Sequence, residues 1–474
     1  MTVEKSISRR DALRAGAVAI GSLVTEAGFE PSNRPALAKP LGPADRIRIG
    51  VIGTGVRGKY LIGNLPKSVR VKAICDCAIS RMADTLEPKE EFAKVLAGFR
   101  ENEAGRCSTH QDYRRMIDDE KLDAVIIATP DHHHAQAAML ALDAGLDVYL
   151  EKPLTATIRE GRLLANMVKR TGRILQVGSQ QRTMEMNRFA CEFIRDGGLG
   201  KVTRVDFPNY PGPINDPQFP AEPTPKGLDW NLFLGPTRLR AHNRKLWIKD
   251  DFKVGDLMWR GWDLFREYSG HLMTNWGAHS IDMVQYALGM DHSGPVKIAP
   301  EQHVSNASLE QDWKDKWHEK TPRPSGSWKA ATRFRPVMLE YSDGTLLNLV
   351  PGVDAATFHG ERGRMVISRN KFQTNPPDLV EDGPDPKVVE QWKGPGHVAR
   401  PHLENWLDCV RSRGVPNAPV EIGHRTVTVC HLVNIARELN RPLRWSPARE
   451  QFLDDEEANE LLDRPRRKGF ELPA

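Results

Sequence analysis

Lys152 stands in the tripeptide "EKP" directly after the apolar run "DVYL", at the carboxyl end of a predicted strand. Partial burial there lowers a lysine's pKa, and the free amine can hydrogen-bond a hydroxyl and ease its proton away. A surface lysine before a proline is the other reading of so short a motif. A second group lies in "TNWGAHSIDMVQY", read as the start of a helix. At about 100° per residue, Asn275, His279, Asp282 and Tyr286 share one narrow stripe, with Ile281, Val284 and Leu288 opposite as the core face. A histidine with an ordinary pKa of about 6.5 exchanges a proton at neutral pH. Such a stripe either points into a pocket or is a solvated face. The run His132, His133, His134 invites a metal, but consecutive side chains diverge and no partner stands at a fixed spacing, so loop and helix-cap roles are expected and no metal.

The element expected to position these groups is a dinucleotide-binding turn. "RIRIGVIGTG" reads as a buried strand, and Gly53, Gly55 and Gly58 form GxGxxG with Thr54, Val56 and Arg57 between them. Gly53 permits the tight turn, Gly55 the approach of a pyrophosphate, and Gly58 the packing of the next helix, expected over residues 57–65, whose free N–H groups face the phosphate. A second strand, "VRVKAICD", ends on Asp76 about 20 residues later, where a ribose-binding carboxylate belongs. Asp76 favours NAD over NADP, and Arg81 nearby leaves NADP open. "LDAVIIATPDHHH", "AQAAMLALDAG" and "DVYLEKPL" continue the strand–helix alternation. The sheet should therefore be parallel with its ligand beyond the carboxyl ends of the strands, which places Thr129, Pro130, His134, Glu151 and Lys152 at the cofactor rim.

The 474-residue chain carries a net charge of +5, 27% charged and 39% hydrophobic residues, so it is read as globular. The basic excess is mild, and its one basic run, "RPRRKG", reads as a solvated tail, so no nucleic-acid partner is expected. The six cysteines have no CxxC spacing and read as free thiols. Residues 208–265 and 291–330 read as long loops near the pocket. Five of the eleven tryptophans, Trp230, Trp247, Trp259, Trp262 and Trp276, fall in one segment, where their rings either stack on a sugar or fill a core.

With "GVIGTGVRG", "IIATPDHHHAQ" and "YLEKPL" in order, the chain resembles the Gfo/Idh/MocA oxidoreductases. The likeness extends through "RILQVGSQQR", "LDWNLFLGP", "YSGHLMTNWGAHSIDM", "EYSDGTLLNL" and "APVEIGHRTVTVCHLVNIARELNRPLRWSP", and is greatest to the family's exported, sugar-acting branch. It implies a Rossmann domain over 45–178, an α/β substrate and oligomerisation domain with a large open, mostly antiparallel sheet over 179–445, and a tail over 446–474. It implies homo-oligomers and a carbohydrate substrate. It also makes Lys152 and His279 the acid/base groups and puts Asn275 where the family most often has an aspartate. An amide can orient a hydroxyl there but cannot raise the pKa of His279. Tyr268 and His271, the latter where glycine is often found, are further candidates for substrate contact.

At the amino end, Ser8, Arg9, Arg10, Leu13 and Arg14 resemble a twin-arginine export signal, with Ala12 where that pattern prefers a large apolar residue. "ALA" at 36–38 offers a cleavage site, so residues 1–38 are expected to be a leader engaging the twin-arginine machinery. The apolar stretch from Ala15 to Val24, which follows the arginines within this leader, is too short to span a membrane. A disordered N-terminus without an export role is the alternative. A periplasmic or otherwise exported protein meets no free nucleotide, so the cofactor is expected to be loaded in the cytoplasm and tightly bound. Three functions compete: an NAD(P)-dependent sugar or polyol oxidoreductase, a redox-neutral NAD-dependent glycoside hydrolase, and a catalytically quiet nucleotide- or sugar-binding protein.

Overall fold

The computed structural model describes residues 45–473 apart from 89–90, 216–218, 248–260, 303–332, 352, 354 and 391–398. The expected leader, Trp259 and most of 291–330 lie outside the described residues. Lys39–Ala474 forms one compact unit built on two sheets.

The first sheet comprises β1 (Ile47–Ile52), β2 (Val69–Cys75), β3 (Ser108–His110), β4 (Ala124–Ile127), β5 (Asp147–Leu150) and β6 (Leu175–Val177). Its order is β3-β2-β1-β4-β5-β6, and every pair is parallel. Strands covered on both faces need unbroken apolar runs, and "AVII" and "DVYL" are buried at every residue. The strand order reverses between β1 and β4, so the loops after these two strands splay apart and leave a crevice at their carboxyl ends.

Six helices frame the site: α1 (Val56–Asn64), α2 (His134–Asp143), α3 (Ile158–Thr171), α4 (His271–Ala287), α5 (Arg400–Ser412) and α6 (Val420–Leu439). α2 and α3 cover one face of the first sheet through Ala138, Leu142 and Leu164. The other face is covered by α5, whose Leu403, Trp406 and Val410 pack on Ile47, Ile49 and Val51. A helix from within 179–445, the stretch expected to form the second domain, thus completes the core of the first. α5 ends on a left-handed Arg413, whose guanidinium donates to both oxygens of Asp147 at 2.8 Å.

The second sheet has nine strands: β7 (Val202–Pro208), β8 (Lys297–Pro300), β9 (Val337–Glu340), β10 (Leu346–Val350), β11 (Ala356–Gly360), β12 (Gly363–Ser368), β13 (Lys371–Asn375), β14 (Leu443–Ser446) and β15 (Gln451–Phe452). Among the described residues only the β7–β10 pair is parallel, so the sheet is mostly antiparallel, as expected. Ile281 and Val284 of α4 and Leu432 and Val433 of α6 join Phe207 and Phe358 in its core. Val427 of α6 belongs to the first-sheet core, so α6 ties the two sheets together.

Residues 446–474 are not a solvated tail. They add β15 and bury Phe470, and the expected solvated run is anchored: Arg464 Nε and Arg466 Nη2 donate to the buried Glu160 at 2.9 and 3.0 Å. A carboxylate removed from water needs such partners, and these lie some 300 residues away in sequence. All six cysteines are free thiols.

Candidate functional site

A cavity of about 1090 Å³ runs from the glycine turn to α4, larger than the roughly 300–1,000 Å³ of an ordinary ligand pocket. Its first part is the turn itself. Gly53 has φ +90°, and a Cβ there would lie 2.6 Å from the Ala128 carbonyl oxygen. A Cβ on Gly58 would lie 2.0 Å from the Gly53 carbonyl oxygen, so both positions need glycine to close the turn onto the sheet. Gly55 differs: only the Arg81 guanidinium comes within 4 Å of a Cβ built there, and the residue opens onto the cavity. α1 is preceded by Gly55, which offers no side-chain cap, and has no acidic residue in its first turn, which leaves its N–H groups for an anion. These features fit a pyrophosphate. Asp76 lines the cavity at the end of β2, and its Oδ2 accepts from the Thr54 N–H at 2.9 Å and Oγ1 at 3.2 Å.

The second part is the rim. Lys152 lines the cavity, and its Nζ donates to Asn275 Oδ1 at 2.6 Å and to the Asn275 carbonyl at 3.4 Å. Burial brings the Lys152 pKa down to about 8, against the opposing pull of Glu151 and Asp131. Arg57 Nε donates to Glu151 Oε1 at 2.7 Å, so that carboxylate is already paired. His279, one turn of α4 beyond Asn275, faces the same cavity. Its pKa is held well below the ordinary histidine value, first by burial and then by Arg369, Lys152 and Arg57. The expected titration near 6.5 is therefore replaced by a neutral imidazole that donates one hydrogen bond and accepts another. Thr129 Oγ1, Gln180 Oε1 and His279 Nδ1 line the cavity as buried polar atoms with no hydrogen-bond partner among the described residues. Buried polar atoms are normally satisfied, so three on one cavity wall suit a polar ligand.

Of the residues singled out in the sequence, Gly53, Gly55, Val56, Arg57, Asp76, Thr129, Pro130, Glu151, Lys152, Asn275 and His279 line this cavity. Thr54 and Gly58 lie behind it and shape the turn. His134 is fully buried, its ring nitrogens 2.7 Å from the Pro153 carbonyl and 3.0 Å from that of Thr129, so it ties two rim loops together from below. The α4 stripe is divided: Asp282 Oδ1 accepts from Arg182 Nε at 2.8 Å, and the Arg182 guanidinium lies over the Tyr286 ring. His271 does not line the cavity. It is buried 3.5 Å from Asp263 with φ 56°, a conformation that glycine adopts freely.

Tyr268 is likewise not brought to the cavity. Its ring is fully buried in an aromatic cluster, edge-on to His132 at 4.9 Å and stacked on Phe233 at 6.2 Å. An aromatic ring has more to gain from such packing than from a polar rim. Tyr268→Phe is expected to change kcat and KM less than about threefold, because the hydroxyl it removes is buried outside the cavity; steady-state kinetics read this directly. Among the described tryptophans of the cluster, Trp247, Trp262 and Trp276 line the cavity, while Trp230 packs on Phe233 and donates from Nε1 to the Arg240 carbonyl.

Several lining residues were not singled out from the sequence as candidates for chemistry, Asp131, Gln180 and Arg369 among them. Asp131 and Gln180 follow β4 and β6, so the strand-end rule that picked Lys152 could have found them. Trp276 was noted only as an aromatic. Arg369 comes from the β12–β13 hairpin, its guanidinium 5.9 Å from the Trp276 ring centre, and no local pattern announces it.

A parallel sheet with order 3-2-1-4-5-6, a glycine turn at its reversal and a second sheet closing the cavity define a Rossmann-type dinucleotide-binding protein. Residues 47–179 match the NAD-binding Rossmann domain of the Gfo/Idh/MocA oxidoreductase family, and residues 213–321 and 320–472 match its C-terminal alpha/beta domain. The chain belongs to this family. It is 32% identical over 158 residues to the scyllo-inositol 2-dehydrogenase (NAD(+)) of Bacillus subtilis, covering 33% of this chain and 42% of that one. It is 29% identical over 201 residues to the alpha-N-acetylgalactosaminidase of Tannerella forsythia, covering 40% and 41%. The chain thus spans less than half the length of these curated relatives. Among solved structures, the WlbA dehydrogenase of Chromobacterium violaceum superposes with TM-score 0.56 at 14% identity over 87% of this chain and 99% of that one, a likeness of fold.

Proposed function

We propose that this protein oxidises a C–OH group of a sugar, polyol or glycoside, with hydride passing to a tightly held nicotinamide. The observation that carries the proposal is one cavity that joins the pyrophosphate-shaped turn to a half-buried amine with a pKa of about 8. NAD, when bound, supplies the hydride acceptor. Asn275 holds the Lys152 amine in place, and the neutral amine takes the substrate's hydroxyl proton. His279, uncharged, hydrogen-bonds a substrate oxygen through its free Nδ1, and the faces of Trp262 and Trp276 offer apolar surface to a sugar's C–H groups. Asp76 favours NAD, with NADP the alternative where Arg81 engages a 2′-phosphate. The leader reading adds export of the folded protein with its cofactor already loaded, which requires a cycle that restores that cofactor. Homo-oligomers of this chain complete the proposal, and light scattering reads them.

Similarity to the Tannerella alpha-N-acetylgalactosaminidase favours a second reading, redox-neutral cleavage of a glycoside. One experiment separates them. The purified protein is assayed for bound NAD(H) and incubated with free sugars, polyols and glycosides. Net reduced cofactor or a second reduced sugar supports the oxidoreductase, glycoside cleavage with no net reduction supports the hydrolase, and binding without turnover overturns both.

The pH dependence has a definite sign. Lys152 acts as base only as the free amine, so in the oxidation direction kcat/KM falls about tenfold per pH unit below about 8 and levels above it. A profile flat from about pH 6 to 9 would remove Lys152 from the role of base.

A further inference from the structure

Lys152 makes both of its hydrogen bonds to Asn275, a neutral amide, so the cation it becomes on accepting a proton has no ionic hydrogen-bond partner among the described residues. Two carboxylates act on it. Glu151 is committed to the Arg57 guanidinium. Asp131, on the loop after β4, lines the same cavity and is 4% exposed. Ser269 Oγ donates to Asp131 Oδ2 at 2.7 Å while accepting from the His271 N–H at 3.1 Å, so the hydroxyl proton is aimed at the carboxylate and favours its ionised form.

We propose that Asp131 is a positioning residue for proton transfer, its carboxylate supplying the counter-charge to the ammonium that Lys152 becomes on taking the substrate's hydroxyl proton. In the oxidation direction the substrate O–H bond breaks and an N–H bond forms on Lys152, while the C–H bond is lost as hydride to the nicotinamide. Asp131 makes and breaks no bond in that step, and removal of its charge leaves a half-buried cation uncompensated. Burial raises the Asp131 pKa to about 7, opposed by Ser269 and Lys152 and reinforced by Asp263, so the two groups titrate close together and each protonation state conditions the other. Lys152 is also faced by the cations Arg57 and Arg369, which make a nearby negative charge more valuable to it. His132, His133 and His134, which follow Asp131 in the chain, are all held below the ordinary histidine pKa by burial and supply no cation at neutral pH.

The role in catalysis rests on the proposed function, whereas the pairing does not, and the test keeps them apart. Lys152 is titrated from about pH 6 to 10 by acetic anhydride labelling and mass spectrometry in the full chain, in D131N, D131E and S269A, each first checked for retained NAD. The labelling midpoint is expected to fall by about one pH unit in D131N, to stay near wild type in D131E, and to fall by less in S269A, which loses the donor that favours the carboxylate. With a substrate in hand, D131N should lower kcat about tenfold with KM changed less than twofold, and the acid limb of its pH profile should move down with the labelling midpoint. An unmoved midpoint in D131N that retains cofactor overturns the pairing. If D131N does not fold, an unmoved midpoint in S269A does the same. Labelling that shifts as expected in a protein that oxidises nothing on the panel would leave the pairing standing and reject the oxidoreductase.

Discussion

Lys152→Ala should bind NAD as the wild type does and turn its substrate over about a thousandfold more slowly or worse. General bases contribute about 10²–10⁴-fold, and this one has a pKa of about 8, near the working pH where such a group is most effective. Cofactor retention is expected because the glycine turn, Asp76 and the Arg57–Glu151 pair make no hydrogen bond to Lys152. Lys152→Arg sharpens the test. It keeps a positive charge at the rim but cannot release a proton near neutrality, so it should be as slow as alanine. Equal bound NAD across the three proteins, read by absorbance after denaturation, with kcat lost in both variants, is the expected pattern. An arginine variant with near-wild-type kcat would mean that Lys152 serves as a fixed charge and not as a base.

The parts of the site that were legible in the sequence are those whose physics is local. Gly53, Gly55 and Gly58 and the Asp76 that follows are set by one strand–turn–helix–strand unit, and Gly53 and Gly58 answer to backbone atoms of the same unit or of the adjoining β4 loop. Lys152 was legible by the same logic, since a strand in a parallel sheet delivers its carboxyl end to the ligand. The α4 stripe was legible as a stripe but not as to its destination. Its first half meets the cavity and its second half meets Arg182, a choice made by packing on α6 and the second sheet. Tyr268 was misplaced because a polar tip says little about where a large ring is buried. Arg369 and the Glu160 partners Arg464 and Arg466 depend on contacts across long stretches of chain, where no periodicity operates. Which sheet α5 covers likewise depends on packing and not on any local pattern.

Gly58→Ala should cost the protein both its cofactor and part of its stability. The added Cβ would lie 2.0 Å from the Gly53 carbonyl oxygen, a backbone atom that cannot rotate away as a side chain would. Gly53 is itself fixed, its N–H donating to the Cys75 carbonyl at 2.8 Å and its own Cα face against Ala128. The clash must therefore be relieved by α1 tilting off the sheet, which carries Gly55 and the first N–H groups of the helix away from the pyrophosphate position. Overpacking of this kind costs about 1–3 kcal/mol, and a dinucleotide that loses its helix-terminal hydrogen bonds should bind at least about a hundredfold more weakly. Gly55→Ala provides the contrast. Its Cβ meets only the end of the Arg81 side chain at 3.4 Å, so the fold should be as stable as wild type while the methyl group occupies the space the pyrophosphate needs. Thermal unfolding without added ligand, paired with NAD titration, distinguishes the two: stability and affinity fall together in Gly58→Ala, and affinity alone falls in Gly55→Ala. Undiminished NAD affinity in Gly55→Ala would place the pyrophosphate elsewhere and sever the link between the turn and the Lys152 amine.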